Sequence, residues 1–284
     1  MNRLPLAAAA LLLAANAPTQ ATAQTAPLAA APQGPPPTPT WTLSVGFAPI
    51  VAPAWQGSRD MALSVFPDIR VNYKDVAFFS VQEGLGWNAI NQSGWKIGPI
   101  ARLRFGRRES TGGSPFLITG GSDALRGMGD VKLAGEFGGF VQYNPVRQVA
   151  LRTEVRRGVG GHEGVVAEPS IRYSDKVGSF RYSIGLRSLF ASEGYTNVYF
   201  GVNAQQGLNT GLTPFRTGSG LVSAGIGGSL TRPLGQRAEY GALTLLAGYD
   251  RLGNVVADST LIRQRGRPDQ FSIGLAYGYR FTWK

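Results

Sequence analysis

The chain has no cysteine, one histidine (His162), and no apolar run beyond its first 40 residues that could form a membrane helix, which needs about 20 such residues. The missing cysteine excludes a disulfide framework and thiolate metal sites. Any histidine-dependent activation of a nucleophile must use His162. Acidic residues are also few, 17 against 28 lysines and arginines, so the formal charge is +11 and an anionic partner is expected.

The N-terminus has the pattern of an export signal. Arg3 precedes an uncharged apolar stretch over residues 4–15, and Ala21-Thr22-Ala23 is a small-x-small cleavage pattern. We therefore predict a signal peptide over residues 1–23. Residues 24–40 are dominated by Ala, Pro, Thr and Gln, which predicts a disordered linker. One domain should follow over residues 41–284, because no later shift in composition suggests a second.

Export narrows the choice of anionic partners. Nucleic acid is not expected outside the cytoplasm, whereas outer-membrane lipid, lipopolysaccharide phosphates and anionic solutes are. The scattered carboxylates form no metal-ligand cluster, and the glycine pairs between residues 106 and 130 lack the lysine of a phosphate-binding loop. No metal, cofactor or catalytic residue is predicted.

Apolar residues alternate with polar or small ones along most of the chain, which is typical of strands with two different faces. The last segment shows this most clearly. One face carries Phe271, Ile273, Leu275, Tyr277, Tyr279, Phe281 and Trp283, and the other carries Ser272, Gly274, Ala276, Gly278, Arg280 and Thr282. Either a soluble β-sandwich or a membrane β-barrel could produce the alternation. The aromatic weight and the scarcity of charge on the apolar faces favour the barrel.

Counting the segments gives an all-β, transmembrane antiparallel barrel of about 12 strands. The predicted strands lie near residues 41–49, 60–73, 76–86, 94–105, 130–143, 147–157, 164–173, 178–190, 196–203, 220–231, 238–250 and 270–283. An even number suits a bacterial outer-membrane barrel. With both termini in the periplasm, strict alternation would place residues 106–130 and the His162 turn on the periplasmic side, and residues 204–219 and 251–269 outside.

In this register a basic cluster faces away from the lipid. Its members are Arg70, Arg102, Arg104, Arg152, Arg156, Arg172, Arg181 and Arg187, with Glu154, Glu136 and Glu168 among the few counter-charges. The cluster could attract anionic solutes into a channel. It could instead form ion pairs that brace a narrow barrel, which the expected barrel size favours.

His162 lies in a glycine-rich turn with Gly160, Gly161 and Gly164. It could be a catalytic base, because some outer-membrane barrels are hydrolases. No nucleophile motif surrounds Ser170, the nearest serine in sequence. A structural histidine paired with Glu163 or a backbone carbonyl is therefore the favoured interpretation.

Several motifs resemble the MltA-interacting protein family of outer-membrane proteins, also called the OmpV family. They are AWQGS at 54–58 before FPDIR at 66–70, LRGMGD at 125–130, GVGGHEG at 158–164, YTNVYFGV at 195–202, and DRL at 250–252 with ADS at 257–259. The resemblance extends from about Trp41 to Phe281. It implies a Gram-negative outer-membrane barrel that acts as a scaffold, linking a lytic transglycosylase to a penicillin-binding murein synthase in peptidoglycan biosynthesis. Two alternatives remain open, a channel for small anionic solutes and, less favoured, an outer-membrane hydrolase.

Overall fold

The computed structural model describes residues 40–113, 115–235 and 240–283, so the predicted signal peptide and almost all of the predicted linker lie outside the described residues. The strands are β1 (Trp41–Pro53), β2 (Met61–Tyr73), β3 (Ala77–Ser80), β4 (Gly84–Trp87), β5 (Ile90–Gln92), β6 (Trp95–Arg104), β7 (Leu117–Gly120), β8 (Ala134–Val146), β9 (Val149–Gly160), β10 (Val165–Val177), β11 (Phe180–Ala191), β12 (Gly220–Pro233), β13 (Ala242–Leu252) and β14 (Asp269–Trp283). The helices are α1 (Glu193–Phe200), α2 (Ala204–Thr210), α3 (Asn254–Ala257) and α4 (Thr260–Arg265). None of these helices has the length and apolar character needed to cross a membrane.

The sheet closes on itself. Going round the barrel, the order is β1-β14-β13-β12-β11-β10-β9-β8-β6-β4-β3-β2, and β2 pairs with β1 along the full length of both strands. All neighbouring pairs are antiparallel, and β5 and β7 add short pairings to β6 and β2. The predicted antiparallel barrel of twelve strands is confirmed.

Two of the predicted segments are nevertheless wrong, and their errors cancel in the count. Residues 76–86 form two barrel strands, β3 and β4, because the side chain of Ser80 accepts hydrogen bonds from the backbone N–H groups of Gln82 and Glu83 and turns the chain. Residues 196–203 do not form a strand, and most of them lie in helix α1. A short apolar run is compatible with either structure, and here packing against the barrel end selects the helix.

The two faces of the wall differ as the alternation predicts. In β14, Phe271, Ile273 and Leu275 are each about half exposed on the outer face, whereas Ser272 and Ala276 are buried on the inner face. The other long strands contribute similar residues to this outer belt, including Phe47, Phe137, Ile171, Ile184, Leu186 and Leu245. Such a belt is stable only against lipid tails, so this surface faces the membrane.

The two ends of the barrel are built differently. We call the end with Trp41 and Trp283 the terminal end; its connections include the two-residue links at 147–148 and 178–179. We call the other the loop end; it carries residues 54–60, 105–133, 161–164, 192–219 and 253–268. The prediction that the 106–130 loop and the His162 turn lie opposite residues 204–219 and 251–269 is therefore wrong. Because residues 76–86 form two strands rather than one, the 106–130 loop and the His162 turn lie at the loop end.

Candidate functional site

The most strongly organised part of the lumen is a cluster of three glutamates and three arginines on β6, β8, β9 and β10. Glu136 and Arg156 are almost completely buried, and their Oε2 and Nε atoms lie 2.9 Å apart. Arg104 also pairs with Glu136. Glu154, Glu168 and Arg102 complete the group, which we call the lumen brace.

The strand register explains why this set needs both signs of charge. Glu154 and Glu168 lie directly opposite each other on β9 and β10, an arrangement that like charges destabilise. Arg102 Nη1 lies 3.4 Å from Glu154 and 2.9 Å from Glu168, and so bridges the two carboxylates. Arg156 pairs with both as well, with 2.6 Å between Nη2 and Glu168 Oε1. The brace therefore ties together four consecutive strands of the barrel wall.

The remaining predicted arginines are spread around the inner wall. Arg152 donates to Glu154 at 2.8 Å, and its guanidinium lies over the ring of Phe140. Arg187 pairs with Asp250 across two strand boundaries. Arg172 on β10 and Arg181 on β11 lie in the terminal half of the lumen, away from the brace glutamates.

His162 joins the loop end to the brace. Its Nε2 lies 3.0 Å from Glu136 Oε1, and its Nδ1 accepts a hydrogen bond from the backbone N–H of Gly164 at 3.2 Å. The ring is therefore protonated on Nε2 and donates to Glu136. The predicted pairing with Glu163 or a backbone carbonyl is wrong, because the turn directs the ring inwards to the wall rather than along the chain.

Glycines in this turn make room for the ring. A Cβ atom at Gly158 would overlap the imidazole of His162, and one at Gly164 would overlap the backbone of Tyr195. Gly160 adopts a φ of 100°, in the region that favours glycine, and Gly161 lies against the backbone of Lys132. The glycine pattern at 158–164 thus serves close packing of the turn.

The loop end is filled by an apolar core, which we call the plug. Its largest members, each at most 1% exposed, are Trp55, Leu125, Tyr195, Phe200, Leu261 and Ile262. They come from the β1–β2 loop, from the connection between β7 and β8, from α1 and from α4, so four separate connections fold over the barrel and pack together. Water cannot pass through a close-packed core of this kind.

Polar groups anchor the plug to the wall. Tyr195 lies over the guanidinium of Arg104, edge-on to His162, and burial raises the pKa of its hydroxyl. Arg107 donates to the backbone carbonyl of Tyr199 at 2.6 Å, and burial lowers the pKa of Arg107 to about 10. The plug and the brace therefore form one continuous packed unit.

His162 and Ser170 do not form a base–nucleophile pair. Both ring nitrogens of His162 are occupied, and the Oγ of Ser170 donates to the carbonyl of Arg152 rather than to the imidazole. Among the described residues no group of three or more His, Asp or Glu side chains could hold a metal ion. The geometry is that of an internal cross-link.

The sequence interpretation missed the plug residues. Tyr195, Phe200 and Ile262 lie in connections, where apolar side chains have no partner that strand alternation can identify. The signal available was the high apolar content of residues 195–202 and 255–262 between strands, which is unusual for solvated loops.

A family model described as "MltA-interacting protein MipA" matches residues 45–281. No curated protein sequence matches the chain. Among solved structures, an outer-membrane channel from Pseudomonas putida F1 is 12% identical, with 89% of this chain and 100% of that chain covered and a TM-score of 0.42. The trimeric form of OmpT, an outer-membrane protein of Vibrio cholerae, is 8% identical, with 85% and 99% covered and a TM-score of 0.34.

Proposed function

The chain belongs to the MltA-interacting protein MipA family and is an outer-membrane β-barrel, and from this premise we propose that it is a scaffold that does not conduct solutes. The observation that carries the proposal is the packing inside the barrel. A channel needs a continuous aqueous path, whereas here the plug and the lumen brace fill the loop end. We also propose that the protein has no catalytic activity, since His162 is committed to Glu136 and Gly164.

The partners follow from the family's description. The name of the family refers to an interaction with MltA, a lytic transglycosylase, so we propose that this chain binds such an enzyme and, through it, a penicillin-binding murein synthase. Both would act on peptidoglycan in the periplasm. Outer-membrane lipid and lipopolysaccharide would contact the apolar belt.

The two ends of the barrel suggest where a periplasmic partner would bind. In bacterial outer-membrane barrels the short turns face the periplasm and the longer loops face outwards. On that rule the terminal end is periplasmic, and Lys74, Asp75, Arg147 and Ser179 are exposed there. We propose that the docking surface comprises these turns rather than the 106–130 loop.

Site-specific photo-cross-linking in envelope membranes tests this proposal. A photoreactive phenylalanine analogue at Arg147, at the terminal end, should capture a lytic transglycosylase. The same analogue at Leu208, which is 81% exposed on α2 at the loop end, is the matched control and should capture none. Capture only from position 208 would overturn the proposed sidedness, and capture of no murein enzyme from any terminal-end turn would overturn the scaffold.

A further inference from the structure

We propose that a groove on the outer face of the barrel, over β11 to β14, binds one lipid A moiety of lipopolysaccharide. An acyl chain would lie in the groove, and a phosphate group would bind the arginines at the rim nearest the loop end. The inference deepens the proposed contact with lipopolysaccharide, and it rests on the proposed orientation, in which the loop end faces outwards.

The groove is formed by a change of side-chain size within the apolar belt. In register, Ile184, Gly228, Ala247 and Ile273 lie side by side on β11, β12, β13 and β14. The two small residues therefore form a floor between two isoleucines that are each about half exposed. The depression has a volume of about 790 Å³, which is in the range of small-molecule sites, roughly 300–1,000 Å³. The side chains that reach it from the outer face are apolar or aromatic, which suits a hydrocarbon chain.

The rim nearest the loop end is first aromatic and then charged. Tyr249 and Phe271 line the groove, and their ring centroids are 4.9 Å apart. Arg251 and Asp269 follow on the same outer face, about 7 Å farther towards the loop end. Arg251 Nη1 lies 2.6 Å from Asp269 Oδ1, and the Tyr249 hydroxyl donates to the same oxygen at 2.7 Å. Aromatic side chains mark the membrane boundary of a barrel, so the groove reaches from the hydrocarbon region to the headgroup level.

Arg267 adds a guanidinium that is not neutralised within the chain. Its Nη2 lies 3.4 Å from the Sδ of Met61, which lines the groove, so this side chain lies at the same rim. In the part of the chain that the structure describes, Arg267 forms no ion pair, and its buried Nε has no hydrogen-bond partner. Asp269, two positions along the chain, is engaged by Arg251. The Nη atoms of Arg267 therefore suit an anionic group of a ligand.

The rim as a whole is basic. Arg59 Nε donates to the backbone carbonyl of the residue before Arg267 at 2.6 Å, which places another guanidinium beside that segment. Arg59, Arg251 and Arg267 thus outnumber the neighbouring carboxylates of Asp60 and Asp269. Arginine binds phosphate oxygens through paired hydrogen bonds, and basic sites at the headgroup level bind anionic lipids.

The two parts of the site together select the occupant. Inside a bilayer an apolar groove has no hydrophobic preference for one chain over another, so the rim must supply the selectivity. At the outward end of a Gram-negative barrel, the lipid that combines acyl chains with phosphate groups is lipopolysaccharide. A second copy of this chain is disfavoured, because two-fold packing over the groove would bring the same arginines together.

The test is native mass spectrometry of the mature chain, refolded in detergent free of lipopolysaccharide and titrated with bisphosphorylated lipid A. Ala247→Phe fills the floor of the groove and should weaken binding at least tenfold. Arg267→Gln removes one charged donor and should weaken it about tenfold. The matched controls are Ala167→Phe, on the outer face of β10 beside Val155, and Arg157→Gln, an exposed outer arginine of β9 towards the loop end. Both controls should bind like the parent chain.

Three further comparisons make the result decisive. Dephosphorylated lipid A should bind the parent chain about tenfold more weakly, and Arg267→Gln should then have little further effect. Equal affinity of Ala247→Phe and Ala167→Phe, or undetectable binding, would overturn the site. Phosphatidylglycerol bound as tightly as lipid A would overturn the occupant, as would a dimer that Ala247→Phe dissociates. Either groove variant tests the site if the other fails to fold.

Failure of this proposal and failure of the proposed function give different results. Loss of the groove site leaves the cross-linking from position 147 unaffected. Cross-linking only from position 208 would instead reverse the orientation of the barrel, place the basic rim in the periplasmic leaflet, and overturn lipid A as the occupant even if it bound in detergent.

Discussion

Replacing Glu136 with glutamine is expected to lower the free energy of unfolding by about 3–5 kcal/mol. The Glu136 carboxylate is 1% exposed and receives hydrogen bonds from Arg104, Arg156 and His162. Removing its charge leaves two buried guanidinium groups short of a counter-ion in a medium where charge is poorly solvated. The measurement is urea unfolding of the barrel in lipid vesicles, followed by circular dichroism.

The control for this variant is Glu193→Gln. Glu193 pairs with Arg216 at 2.8 Å, but both side chains are largely exposed, so the loss should be no more than about 1 kcal/mol. Equal effects of the two substitutions would mean that the lumen brace stabilises the barrel no more than a surface ion pair does, and its role as an internal cross-link would be refuted.

Phe200→Ala should destabilise the plug by about 3–5 kcal/mol, because it empties a fully buried aromatic site. Trp55 lies in the same core and reports on it directly. In a background where Trp55 is the only tryptophan, its fluorescence should change at lower urea concentration in the variant. The wall is held by its own strand pairing, so the β-sheet signal should shift less.

Leu208→Ala is the matched control for the plug variant. Leu208 is also apolar and helical at the loop end, but it is 81% exposed, and its loss should change stability by no more than about 0.5 kcal/mol. If Phe200→Ala left the Trp55 transition where it is in the parent chain, the plug would not be a packed core.

The wall of the barrel could be predicted from sequence because lipid and lumen impose a strict period of two. The exceptions have local causes. Glu83 interrupts the alternation of residues 76–86, and in the structure it lies in the turn after Ser80 and pairs with Arg70. The polar residue that breaks the pattern here therefore marks an extra turn. Because this turn adds one strand before residue 106, the predicted sides of the 106–130 loop and the His162 turn were reversed.

The lumen was only partly predictable. Alternation assigns Arg102, Arg104 and Arg156 to the inner face, but it does not say which carboxylates they meet, because pairing depends on the register between strands. The plug could not be found in this way at all. The side chains of Tyr195 and Tyr199 share a helical face through their spacing of four residues, yet they form a core only with Trp55 and Leu261, which are distant in sequence.

The same limit applies to His162. Its neighbours in sequence are glycines and Glu163, so sequence reasoning placed its partner nearby. The structure pairs it with Glu136, 26 residues away, because β8 and β9 are adjacent and the turn folds back into the lumen. Contacts between a turn and a distant strand carry no local pattern.

Single-channel recording in planar bilayers tests the closed lumen most directly. The comparison is the mature chain against a variant in which residues 193–218 are replaced by a short glycine-serine turn, which the pairing of Ala191 with Gly220 allows. The intact barrel should show no stable conductance, and the variant should conduct, with preference for anions. A stable open pore in the intact barrel, with conductance equal to that of the variant, would contradict a lumen closed by the plug.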